Sequence, residues 1–174
     1  KSLILGSTVK LTGALTVEEG GTLAGSKVVC AGGGTLSNLG NEAGADTIIE
    51  CGFNFIKAAR AAALEERLFK GQALKQELTD KYAASPDETV MKKLHEVEEK
   101  VNLILEELER QKAQMYDQTG FKLNVTGTVF PGVQIRMHRF KIDINQKQNS
   151  VSFRLDETAG KIVTEQLGKD KKKR

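Results

Sequence analysis

The stretch ETVMKKLHEVEEKVNLILEELERQKAQMYDQT, residues 88–119, decides the fold. Its apolar residues fall at Val90, Leu94, Val97, Val101, Ile104, Leu108 and Met115. With Gln111 in the remaining slot, the steps alternate four and three residues without a break. Such a repeat keeps one narrow stripe of a helix against a partner helix, which makes it the seam of a coiled coil. A helix of this length cannot bury that stripe alone. The nearest partner is the preceding helical stretch, Phe53 to Tyr82, with Leu64, Leu68, Leu74 and Leu78 as its seam and Gly71 among them. The repeat slips near Gly71, where a stutter is expected to unwind the pair locally. Between the stretches, Ser85-Pro86-Asp87 reads as a turn with a helix start: Ser85 as N-cap, Pro86 at the first helical position and Glu88 completing a capping box. A tight turn makes the helices antiparallel neighbours, each reaching about 45 Å at a rise of roughly 1.5 Å per residue.

Outward from this hairpin, both ends of the chain read as β structure. Before it, Leu5, Leu11, Val17, Leu23 and Val29 recur at six-residue intervals, separated by Gly6-Ser7, Thr12-Gly13, Gly20-Gly21, Gly25-Ser26 and Gly32-Gly33-Gly34. Short strands with glycine at regular corners predict a β-solenoid, with three six-residue sides giving a coil of about 18 residues. A sandwich of tight hairpins is the alternative, but it needs longer alternating strands. After the hairpin, Gly120 reads as the helix C-cap. Alternation then resumes through Leu123, Val125, Val129, Val133, Ile135 and Met137, with Gly127 and Pro131-Gly132 at corners. Ile142 and Ile144, then Val151, Phe153 and Leu155, flank a polar turn at 145–150 and are expected to form a hairpin closing the solenoid's open end. Ile162-Val163 would add a last short strand.

The expected fold is therefore α+β, a single-stranded parallel β-helix interrupted by a long antiparallel coiled-coil hairpin. It is taken as right-handed, although the period itself does not fix the hand. Residues 1–52 are the first rungs and 53–119 the inserted hairpin, turning at about 83–87. Residues 120–167 are the returning rungs and cap, and 168–174 a basic disordered tail. Composition agrees: aromatic residues make up 5% with no Trp, and 17 Gly stand against 2 Pro, which suits small and aliphatic packing. The net charge of +3 resides in the tail, where five basic residues and one Asp leave the rest with 21 basic and 22 acidic residues. No broad basic face for nucleic acid follows. The chain opens on Lys1 directly into a strand-like run, so it is read as a piece of a longer protein. No apolar run approaches the roughly 20 residues of a membrane span.

Chemistry-bearing patterns are sparse. Gly20-Gly-Thr-Leu-Ala-Gly-Ser-Lys27 has the span of a phosphate-binding loop, but its Lys is misplaced and no long helix follows. Cys30 and Cys51 lack metal-ligand spacing and read as two buried, reduced thiols. His95 flanks the seam, and no second ligand at helical spacing accompanies it. His138 stands near Arg136, Arg139 and Lys141 with no visible acid partner; Asp143, Asp156 and Glu157 are scattered carboxylates. No catalytic, cofactor-binding or metal-binding residue is assigned.

The glycine-rich rungs, the long helical hairpin and the return Val125-Thr-Gly-Thr-Val-Phe-Pro-Gly-Val-Gln-Ile135 together resemble the flagellar assembly protein A family of bacteria. Gly127, Pro131, Gly132, Val133 and Ile135 carry the most specific part of this resemblance. Val151-Ser-Phe-Arg-Leu155 and Gly160-Lys-Ile162 fit the closing pattern. The resemblance implies a cytoplasmic bacterial protein without enzymatic activity or cofactor, a β-helix with a coiled-coil arm, linked to flagellar assembly. Members also carry an N-terminal domain that precedes the rungs. The function expected is a scaffold or adaptor that binds protein partners, flagellar or cell-pole components among them, through the arm or the β-helix. Two other classes stand beside it. One is a bactofilin-like, self-assembling cytoskeletal element, which makes the chain a homo-oligomer. The other is a β-helix enzyme such as a hexapeptide-type acyltransferase with His138 as base.

Overall fold

The computed structural model describes residues 3–116 and 119–168. The chain divides into two compact units, one of residues 1–55 with 116–174 and one of residues 56–115.

The first unit begins with two coils of short strands. β1 (Leu3–Leu5), β2 (Thr8–Leu11) and β3 (Leu15–Thr16) make the first coil. β4 (Thr22–Ala24), β5 (Lys27–Cys30) and β6 (Gly34–Leu36) make the second. Each strand pairs in parallel with its counterpart: Leu3 with Thr22, Thr8 with Lys27 and Leu15 with Gly34, a displacement of 19 residues on all three sides. Parallel pairing at a fixed displacement is what a solenoid requires and a meander of hairpins cannot supply. The third coil runs through β7 (Asn38–Leu39) and β8 (Thr47–Cys51), leaves for the helices, and resumes with the first part of β9 (Lys122–Val129), whose end opens a fourth coil continued by β10 (Val133–Met137). The third coil's displacements are irregular, Thr22 to Asn38 on one side and Lys27 to Ile48 on another. The uniform 18-residue coil expected from the six-residue spacing is thus replaced by coils of unequal length. The long β9 runs beneath both β6 and β7, so two sides of the coil merge into one sheet.

Side chains stack in columns along the coils. Val9, Val28, Ile49 and Ile135 form one, and Ile4, Leu23, Leu39 and Val129 another, and all of them belong to or pack against one apolar core. Of the residues spaced by six, Leu11, Val17 and Leu23 join that core, whereas Leu5 is 50% exposed because its neighbour Ile4 takes the inward position.

Parallel stacking ends at β9 and β10. β11 (Phe140–Ile144) adds antiparallel to β10, and β12 (Gln148–Asp156) adds antiparallel to β9. The segments flanking the polar turn therefore do not pair with one another as a hairpin. They lie on different sheets, and the hairpin is instead β12 with β13 (Lys161–Gln166).

The second unit holds α1 (Phe55–Ala84) but for its first residue and all of α2 (Glu88–Ala113), which runs on into a 3₁₀ turn at Gln114–Tyr116. Ion pairs join Arg60 to Glu107 and Glu65 to Lys112, near the start of α1 and the end of α2, and Lys75 to Glu98, further along α1 and earlier in α2, so the helices run antiparallel. The helix start differs from expectation. Asp87, not Ser85, is the N-cap, its Oδ1 accepting from the N–H groups of Thr89 at 2.7 Å and Val90 at 3.2 Å. A carboxylate does this better than a hydroxyl because it is charged. Gly120 does not cap the helix, which closes earlier at Gln114; with a φ of +71° it serves the turn into β9. The basic tail from Lys169 onward lies outside the described residues.

Candidate interaction site

Between α1 and α2, Ala61, Leu64, Val101, Leu108 and Gln111 are buried, and Leu68, Leu78, Val90, Leu94, Val97, Ile104 and Met115 are half-buried. Leu74 is different: it is 45% exposed, and Lys75 occupies the inward position. With Lys75 counted, the inward positions of α1 run Ala61, Leu64, Leu68, Gly71, Lys75, Leu78 and Tyr82, in alternating steps of three and four with no slip. The lysine stem covers apolar surface while its ammonium group reaches Glu98 at 3.0 Å. Gly71 is the close approach of the two helices, since a Cβ there would stand 2.9 Å from Val101 Cγ2. Gln111 is 2% exposed; its amide nitrogen donates to Glu107 at 2.6 Å while its Oε1 has no hydrogen-bond partner.

Five large apolar side chains on these helices are exposed, Ile56, Phe69, Leu74, Met91 and Leu103, and two of them stand furthest into solvent. Phe69 is 74% exposed and Leu103 is 64% exposed. Phe69 lies one turn from Glu65, which pairs with Lys112, and Leu103 lies one turn from Glu107, which pairs with Arg60. On antiparallel helices those two ion pairs flank the seam on opposite sides, so the two apolar groups mark opposite flanks. The seam accounts for neither of them. The sequence carried a signal at Leu103, which breaks a polar register with Glu96 and Arg110 seven residues to either side, but reading only the seam passes over it.

In the β unit, the residues on either side of the insertion form an aromatic cluster. Phe53 packs at a tilt against Tyr116, 5.5 Å between ring centroids, and His138 lies 5.4 Å from both Tyr116 and Phe121. Gly52 is needed here twice over. Its φ is +76°, and a Cβ would fall 2.3 Å from the Phe121 ring. His138 itself takes a φ of +52° in the tight turn between β10 and β11. A cleft of about 480 Å³ borders the cluster, lined by Tyr116, His138, Arg139, Phe140, Leu155 and Glu157. Burial and the charge of Glu50 raise the Tyr116 phenol above its ordinary pKa. In that lining the His138 ring packs against Tyr116, and behind it against Phe121.

The return residues hold the coil junctions. Gly127 donates its N–H to Ser37 O at 2.8 Å, and a Cβ there would fall 2.6 Å from Asn38 Oδ1. Pro131 and Gly132 (φ +86°) turn the chain into Val133 and Ile135, both in the core. The glycine runs that mimic phosphate loops have spent their donors within the fold. The N–H of Gly20 donates to Ser37 Oγ, that of Gly25 to Thr47 Oγ1 and that of Gly32 to Gly13 O. Carboxylates elsewhere do structural work as well: Asp143 accepts from Gln134, and Asp156 from the Ala159 N–H in a turn. Among the described residues no group of His, Cys, Asp and Glu could hold a metal ion, and no helix is long and apolar enough to cross a membrane.

The family model described as the Flagellar Assembly Protein A beta solenoid domain matches residues 1–162. The chain belongs to the flagellar assembly protein A family. No curated protein and no solved structure matches it. Membership names the β-solenoid and connects the chain with flagellar assembly. The match extends across the helical insertion to Ile162 at the start of β13, and so includes the return residues Gly127, Pro131, Gly132, Val133 and Ile135.

Proposed function

We propose that this member of the flagellar assembly protein A family is a non-enzymatic scaffold that binds protein partners through its helical unit, an antiparallel coiled-coil arm. In this reading the seam is Leu64, Leu68, Leu78, Val90, Leu94, Val97, Val101, Ile104, Leu108 and Met115, with Lys75 in place of Leu74, and the β unit is a right-handed β-helix serving as base. The observation that carries the reading is the pair Phe69 and Leu103, large apolar groups held in water on helices whose own packing does not use them. Isolated apolar anchors on a helix face suit recognition by a partner's groove.

Affinity capture from the native bacterium tests this, comparing the intact chain with Phe69→Glu and Leu103→Glu. Loss of the same flagellar or cell-pole proteins with either variant, at unchanged helicity, supports the arm as docking element and says which flank is used. Retention of those proteins by both variants places recognition on the β unit.

A further inference from the structure

Cys30 lies in β5 and Cys51 in β8, opposite one another in the parallel ladder, and both are buried in the main core. The same column carries Leu11 before them and Met137 after them. Neighbouring strands stand about 4.8 Å apart, which brings the two Cα atoms within the roughly 4.4–6.8 Å that a disulfide spans. The Sγ atoms are 3.5 Å apart. Bond formation at about 2.05 Å asks for rotation of two side chains and leaves the ladder in place.

We propose that Cys30 and Cys51 form a reversible disulfide that staples β5 to β8, at the strand end from which the chain leaves for α1. The oxidant is a low-molecular-weight disulfide. The thiolate of one cysteine attacks its S–S bond, giving a mixed disulfide and releasing one small thiolate. The thiolate of the second cysteine then attacks the cysteine sulfur of that mixed disulfide. The Cys30–Cys51 bond forms and the second small thiolate leaves. The two protons lost by the protein thiols pass to the released thiolates, and the oxidant takes up two electrons. In the closed fold the exchange is gated. Cys30 Sγ also contacts Gly32 O at 3.2 Å, and both sulfurs are out of reach of solvent. The hydrogen bond with Cys30, together with burial, holds the Cys51 thiol well above its ordinary range, whereas that same bond lowers Cys30. Reaction therefore passes through a local opening of β8, and the staple once made is released only by the same route.

The test equilibrates the full chain in a glutathione redox buffer, at a urea concentration where a maleimide labels both thiols of the reduced protein. The expected product, read by mass spectrometry after acid quench and alkylation, is lighter by two hydrogen atoms, has lost both thiols together, and carries no glutathione. After urea removal it melts at a higher temperature than the reduced form. Cys30→Ser and Cys51→Ser should give the glutathione adduct of the remaining cysteine instead. Wild-type protein that keeps two thiols or accumulates glutathione adducts under these conditions overturns the proposal. That result does not depend on how the variants fold.

Discussion

In a column of the β unit such as Val9, Val28, Ile49 and Ile135, the last three lie on strands paired on both sides, and all four belong to or pack against a single continuous core. In the helical unit, by contrast, only Ala61, Leu64, Val101, Leu108 and Gln111 are buried, and half-buried positions make up the rest of the seam. The β unit leaves no room at some of its corners, Gly33, Gly52 and Gly127 among them, whereas the helices leave most of their surface in water. A fold of the first kind is sensitive to single atoms, and one of the second kind is sensitive mainly along one stripe.

The largest effect should come from Gly33→Ala. The added Cβ would lie 2.1 Å from the backbone oxygen of Lys122, where the ladder between β6 and β9 cannot yield. Overpacking against backbone costs roughly 3 kcal/mol or more, and β signal in circular dichroism should be lost or the protein recovered insoluble. Val101→Asp comes next and should act on the other unit, removing helicity through a buried charge at a cost of more than about 3 kcal/mol. Unchanged helicity in that variant would break the account of the seam.

Gln111→Leu should raise the thermal stability of the helices. It removes a buried amide whose oxygen is unpaired, a group that costs on the order of 1–3 kcal/mol. A looser register is the expected penalty, since a polar seam residue specifies alignment. A smaller effect is expected at Asp87. The amides of Val90 and Thr89 hold its carboxyl below the ordinary Asp range. Its contribution is therefore present above the unfolded pKa and lost as pH falls through the folded one. Acid titration of helicity should show a step in the wild type that Asp87→Asn lacks. Leu74→Lys should change stability by less than about 0.5 kcal/mol, because the side chain is exposed; a larger loss would restore Leu74 to the seam.

The helical pattern was more legible in the sequence than the register of the coils, for physical reasons. A 3.5-residue repeat is local, so Val90 through Leu108 could be read directly from spacing. On α1 the adjacent Leu74 and Lys75 compete for one position, and hydrophobicity alone chooses the wrong one, because a lysine can bury its stem and keep its charge in water. Coil register is non-local. Corners of different length shift the alignment from 19 residues to 16 or 21, so Cys30 and Cys51 gave no sign of being ladder partners. Likewise, alternation identified the strands at 140–144 and 148–156 without saying that each belongs to a different sheet. The aromatic cluster joins Phe53 to residues more than sixty positions later, a proximity set by the insertion's return to the same coil.

Native-state hydrogen exchange on the wild type and Val101→Asp tests most directly the claim that the two units stand on separate cores. The account predicts that amides of 56–115 lose protection in the variant, while those of the ladders in 3–51 and 122–166 keep theirs. Simultaneous loss of protection in both sets would contradict it and make the chain one cooperative unit.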